Sequence, residues 1–229
     1  PSNSSAASDV YKRQLIDVYK EQIRYLTEAG ADLLVVETMM SLQESRAALI
    51  AAKETCPDIP VMVTMTFESD GRSLFGTDAA TAAIVLSSLG ADAVGANCST
   101  GPDQMAEVIR RMAKVTDIPI IAKPNAGLPS LDEKGQTVYD MGPEEFGADM
   151  ELLLDAGAQI LGGCCGTTPE HIRKMTHRLA GRPVPVHGNL TQRALTSERA
   201  SLTFDLDGPF LIVGERINPT GKKKLQQEL

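Results

Sequence analysis

The sequence predicts an α/β fold: a (β/α)8 barrel of the TIM type, incomplete, with about five of the eight βα units present. Three observations predict it. Short strands that are apolar throughout alternate with helical segments, as in a parallel sheet buried on both faces. One phrase recurs: Ala29-Gly30-Ala31-Asp32 leads into LLVVE, Leu89-Gly90-Ala91-Asp92 into AVGANC, and Ala156-Gly157-Ala158-Gln159 into ILGGCC. A second phrase alternates with it, Asp58-Ile59-Pro60 before VMVTMTF and Asp117-Ile118-Pro119 before IIAKPN. Two alternating strand types suit a barrel whose odd and even strands fill different layers. The competing doubly wound sheet usually opens on a G-x-G-x-x-G phosphate loop, and the chain contains none.

The elements follow in order. Residues 1–14 read as a non-native or disordered N-terminus. They are small or polar at first, and Asp9-Val10-Tyr11-Lys12-Arg13-Gln14 resembles a translated sequencing adapter. Three βα units are then expected to be missing ahead of it, leaving a truncated barrel with two unpaired edges. Residues 15–28 read as an amphipathic helix through Leu15, Ile16, Tyr19, Ile23 and Leu26, stopped at Gly30. Strands are expected to begin near 32, 61, 93, 119 and 160. Helices are expected over 41–55, 78–89, 103–115, 143–156 and 169–180. The barrel part thus covers 15–187. Residues 188–208 read as a polar linker, and 209–229 as the start of a second domain, with a strand at PFLIVGE and a turn at Asn218-Pro219-Thr220-Gly221.

Composition excludes several classes. Of 229 residues 42% are hydrophobic and 23% charged, which fits a folded soluble protein rather than a disordered one. A net charge of -8 argues against a general nucleic-acid or anionic-membrane binder. No apolar run approaches the roughly 20 residues that span a bilayer, and no signal peptide is evident, so a cytoplasmic location is expected. Four cysteines are too few for a disulfide scaffold.

Chemistry in a βα barrel belongs at the strand C-termini. Those ends offer Glu37, then Thr64 and Thr66, then Asn97-Cys98, then Lys123-Pro124-Asn125, then Cys164-Cys165. Three cysteines at one rim point to a soft metal, zinc first, with a fourth position left open. A buried structural role for the cysteines is equally compatible with the residues alone. Adjacent residues of a regular strand face opposite ways, so Cys164 and Cys165 can share an ion only if the strand breaks at the surrounding glycines. Cys56 lies at the opposite end and is expected to be structural. Glu37 could hold a substrate amine or join a rim ion pair. Lys123 could form a Schiff base, as in barrel lyases, or simply pair with an acid. Asn97 and Asn125 could bind substrate or satisfy loop backbone. None of His171, His177 and His187 is expected to be a ligand. A metal-storage or thiol-redox role for the vicinal cysteines is the non-enzymatic alternative.

The strings GANCSTGP (95–102), AKPNAGLP (122–129) and GGCCGTTPEHI (162–172), with VETMMSLQE (36–44), resemble the homocysteine S-methyltransferase family. The resemblance implies a (β/α)8 barrel that holds Zn2+ through Cys98, Cys164 and Cys165. It also implies that Glu37 holds the homocysteine amino group. IVGERINPTGKKKL (212–225) resembles the start of the pterin-binding barrel of cobalamin-dependent methionine synthases, which would place Glu215 and Asn218 at a folate rim. That pairing implies methyl transfer from methylcobalamin, carried by a separate corrinoid-binding module, to homocysteine. Methyltetrahydrofolate would be the ultimate donor and methionine the product. A stand-alone enzyme using betaine or S-methylmethionine is the close alternative. The family's first strands have no counterpart here, so independent activity of the chain is not implied.

Overall fold

The structure, a computed structural model, describes residues 3–188 and 193–209. The chain opens with α1 (Asn3–Glu28), β1 (Leu34–Met39), α2 (Leu42–Thr55), β2 (Val61–Met65), α3 (Ala79–Ser88) and β3 (Ala93–Asn97). It continues through α4 (Pro102–Ala113), β4 (Ile120–Lys123), a hairpin of β5 (Pro129–Leu131) and β6 (Thr137–Tyr139), then α5 (Pro143–Asp155), β7 (Ile160–Leu161) and α6 (Pro169–Leu179). A second hairpin, β8 (Arg193–Thr196) and β9 (Ser201–Phe204), follows. β1, β2, β3, β4 and β7 form one five-stranded sheet in that order, every pair parallel. This is a partial TIM barrel.

The recurring Ala-Gly-Ala phrase is a helix stop. Gly30, Gly90 and Gly157 all take positive φ, of 89°, 89° and 113°. The next residue then donates back five positions, Ala31 to Leu26, Ala91 to Leu86 and Ala158 to Leu153, satisfying carbonyls at the helix end. Helix starts are equally explicit. Asp78 accepts the Ala80 N–H at 2.9 Å, Ser41 accepts the Glu44 N–H, and α4, α5 and α6 each begin on proline.

The Thr64 and Asn97 side chains meet across β2 and β3, so alternation puts Val61, Val63 and Met65 on the opposite face of the sheet. All three are fully buried. Ala47, Ala48, Ala51 and Ala52 of α2 are also buried, and their small side chains let helix and sheet approach closely.

Asp92, the last residue of the second stop phrase, ties three elements. Its carboxylate accepts the Val61 N–H at 2.8 Å and the Lys53 ammonium at 2.7 Å. Burial acts to raise its pKa, but the two hydrogen bonds and the lysine charge outweigh it and hold the carboxyl below its ordinary 3.8. A carboxylate with a lowered folded pKa lends stability that is complete above the unfolded value and is lost as pH falls through the folded one. The site is half-exposed, so Asp92→Asn should cost only about 0.3–1 kcal/mol at neutral pH. The deficit against the parent should shrink below pH about 3.8 as the parent aspartate protonates. Urea midpoints at neutral and acidic pH would check this.

Three expectations change. The first helix begins at Asn3 rather than 15. The segment read as a linker carries the β8–β9 hairpin, which lies against α3: Thr77 donates to the Glu198 carbonyl at 2.9 Å, and the Asp78 N–H to that of Arg199. Ser197 closes its turn, the hydroxyl accepting the Arg199 and Ala200 N–H groups. The β5–β6 hairpin was also not foreseen. The strand expected at 209–215, with Glu215 and Asn218, lies outside the described residues. Among the described residues no helix is long and apolar enough to cross a membrane.

Candidate metal centre

Cys98 follows β3, and Cys164 and Cys165 follow β7. The strand pair β7 makes with β4 ends at Leu161, before the glycines, so the two adjacent cysteines lie on irregular backbone. Neighbouring carbonyls then hold the loops: the Cys98 N–H donates to Lys123, Cys164 to Pro124, and Ala126 back to Cys165. The result brings three thiols together from two strand ends. Cys98 and Cys165 sulfurs lie 3.8 Å apart, Cys164 and Cys165 3.9 Å, and all three are within 4.8 Å. All are free thiols.

Backbone strain concentrates at this rim. Among the described residues only Thr38, Cys98 and Ser99 combine a side chain with positive φ, at 58°, 64° and 64°. Such conformations persist where surrounding structure over-determines them. Here Asn97 does much of that. It is fully buried, and its carbonyl oxygen accepts the Thr38 N–H at 3.0 Å and the Thr64 hydroxyl at 2.7 Å. Its amide nitrogen donates to the Thr38 hydroxyl at 2.7 Å and faces the Cys164 sulfur at 3.8 Å. All four hydrogen-bonding positions are therefore used within the protein. Asn97 thus braces the cluster from behind. Asn125 is buried too, and its side-chain oxygen accepts the Cys165 N–H at 3.1 Å.

Electrostatics make the thiols unequal. Burial, reinforced by the neighbouring Cys98 and Cys165 against the opposing Asn97 amide, pushes the Cys164 thiol up to about 11. Burial also acts to raise Cys165, but hydrogen bonds from the Tyr139 hydroxyl and the two neighbouring thiols outweigh it and lower the net value. Three thiolates this close repel one another. A soft divalent cation relieves that repulsion and takes the donors it prefers, so the donor set fits zinc.

Glu37 sits at an irregularity near the end of β1, and its carboxylate pairs with the Lys123 ammonium from β4. The Lys123 amine is therefore engaged in an ion pair. Cys56 caps α2 and donates its thiol to the Ala52 carbonyl, a structural role.

Sequence reading missed Tyr139. Its ring lies directly over Gly166, where an added Cβ would meet it at 2.4 Å. The signal was present in Asp132-Glu133-Lys134-Gly135, whose Asp132 side chain accepts the Lys134 and Gln136 N–H groups and closes the β5–β6 turn. His171 is a buttress. Its Nδ1 accepts the Thr168 N–H at 3.2 Å, its Nε2 lies 3.0 Å from the Met141 carbonyl, and it packs edge-on against Phe146. It locks the start of α6, just after the cysteine loop. His171→Ala should destabilise by about 2–4 kcal/mol through the cavity and two lost hydrogen bonds, readable as a lower urea midpoint.

Fold and site together define a βα-barrel protein with three converging thiols at the catalytic end. The chain belongs to the homocysteine S-methyltransferase family, which it matches over residues 2–179, and so to a family of methyltransferases. It is 33% identical over 218 residues to methionine synthase of Mycobacterium tuberculosis, and 33% identical over 227 residues to that of Mycobacterium leprae. Those alignments take in 93% and 95% of the chain but only 18% and 19% of the relatives' own lengths. Among solved structures it is similar to the apo form of the homocysteine methyltransferase MmuM from Escherichia coli, with a TM-score of 0.57 and 24% identity. That match covers 71% of this chain and 57% of the other. The metallated form of the same protein gives a TM-score of 0.58 at 22% identity. At these identities the likeness supports the fold.

Proposed function

We propose that the chain is the homocysteine-binding part of a methyl-transferring enzyme that makes methionine, with Cys98, Cys164 and Cys165 holding Zn2+. The observation that carries this reading is the convergence of three thiols within 4.8 Å at the C-terminal rim, in a chain of this family. Bound there, the ion would keep the homocysteine sulfur as a nucleophilic thiolate at neutral pH.

The protein's own residues supply orientation. Asn97 and Asn125 fix the cysteine loops from behind, so the thiols need little rearrangement on loading. The Tyr139 ring over Gly166 covers the Cys165 side of the cluster. Glu37 takes the substrate ammonium, leaving the sulfur to reach the thiols. The homocysteine thiol would lose its proton to solvent on binding, and the thiolate sulfur would then attack the methyl carbon, the S–C bond forming as the donor–methyl bond breaks with its electron pair left on the donor.

The immediate donor is methylcobalamin on a corrinoid-binding module, recharged from methyltetrahydrofolate at a second barrel. By its resemblance, 209–229 would begin that barrel, and Glu215 and Asn218 would belong to its folate rim. The methionine synthase relatives and the IVGERINPTG string support this choice. The location is cytoplasmic, where reducing conditions preserve free thiols.

The test supplies the zinc-loaded chain with homocysteine and methyl-labelled methylcobalamin. Labelled methionine is expected. Label arriving only from betaine or S-methylmethionine would overturn the donor, and no thiol binding at all would overturn the reading.

A further inference from the structure

Lys123 is placed as more than a counter-ion. Its side-chain stem lies across Gly162, where an added Cβ would stand 3.2 Å from its Cγ and 3.4 Å from its Cδ. The absence of a side chain there opens the path that leads the lysine to Glu37. The ammonium engages one carboxylate oxygen of Glu37, Oε1. Among the described residues the second oxygen of Glu37 and the remaining protons of Lys123 have no partner. The lysine side chain is largely covered, with 19% of its surface exposed, whereas Glu37 at 43% opens outward.

The pair is also built into the cysteine framework. The Lys123 carbonyl accepts the Cys98 N–H, and the next carbonyl, of Pro124, accepts that of Cys164. Glu37 precedes Thr38, which Asn97 ties toward Cys164. A salt bridge and three thiols are therefore fixed on one rim by shared backbone. One free carboxylate oxygen next to free ammonium protons is complementary to an adjacent ammonium and carboxylate, the two ends of an α-amino acid.

We infer that the Lys123–Glu37 pair is a receptor for the zwitterionic end of the substrate, in which Lys123 binds the substrate carboxylate and so selects an amino-acid thiol over a simple aminothiol. This rests on the function proposed above and adds a specificity-determining residue to it. Lys123 serves by hydrogen bonding and charge, and no bond to it forms or breaks.

The experiment measures thiol binding calorimetrically on the zinc-loaded 229-residue chain. Two probes are used: L-homocysteine and 3-aminopropane-1-thiol, which keeps the thiol and the amine but lacks the carboxylate. The parent chain should prefer homocysteine by roughly 10- to 100-fold, the value of a charged hydrogen bond. In Lys123→Gln that preference should fall to within about threefold, with binding of the aminothiol little changed, and Lys123→Arg should recover part of it. A parent chain that binds both probes equally would overturn the inference without any variant. So would a Lys123→Gln chain that weakens both equally, the mark of a purely structural residue. If the parent binds neither thiol, the metal-site reading itself fails, and this inference with it.

Discussion

Replacing Cys164 by serine should empty the candidate site. A serine hydroxyl is a harder and far weaker donor than a thiolate, and two thiols remain where three are needed for a tight zinc site. Losing a mere outer partner of a metal ligand costs about 10- to 100-fold in affinity. Losing a ligand should cost more than that, and methionine formation should disappear with the metal. The fold should survive, because serine is nearly the size of cysteine and the Cys164 backbone stays held by Pro124 and Thr167. The expected pattern is zinc content near zero after dialysis with a urea midpoint almost equal to that of the metal-free parent. Cys56→Ser is the internal control. Its thiol bonds only the Ala52 carbonyl within its own helix end, so zinc content should be normal. Normal zinc content in Cys164→Ser would remove this cysteine from the centre.

The second large effect is expected at Gly95. A Cβ built there would lie 1.8 Å from the Ile121 carbonyl oxygen and 2.7 Å from its carbonyl carbon. These are backbone atoms of β4, hydrogen-bonded into the sheet, and cannot swing aside like a side-chain tip. β3 and β4 would have to separate at the register that carries Asn97 opposite Lys123. Gly95→Ala should therefore cost more than about 4 kcal/mol, which exceeds much of the stability of an ordinary domain. Loss of the cooperative unfolding transition, with aggregation on expression, is the expected result. By contrast Gly135→Ala, with open space around its Cβ, faces only a backbone penalty of about 1 kcal/mol at its φ of 74°. A normal transition in Gly95→Ala would show that the two strands pack otherwise.

The order and boundaries of the barrel elements were legible because each is marked locally. Alanine-glycine-alanine stops, proline starts and all-apolar strands place five βα units to within a residue or two. The cysteines were legible as a rim group because topology alone brings strand ends together. Their mutual distance depended on where β7 stops, which the flanking glycines only permitted. The role of Asn97 was not legible, since the partners that consume its amide, Thr38 and Thr64, come from two other strands. Glu37 and Lys123 were each read with an ion pair as one option. That they choose each other depends on Gly162 leaving room for the lysine stem. The two hairpins escaped notice because their strands are only three or four residues long and polar, so neither periodicity nor apolar content rises above that of a loop. The N-terminal composition, in turn, did not announce a helix that begins at Asn3.

The central claim is that Cys98, Cys164 and Cys165 hold one zinc ion with a position left for the homocysteine sulfur. X-ray absorption on the zinc-loaded chain, before and after homocysteine, tests it most directly. The predicted result is one zinc per chain with three sulfur neighbours, rising to four when homocysteine is added. A chain that takes up no zinc, or a zinc whose sulfur count does not rise with homocysteine, would contradict it.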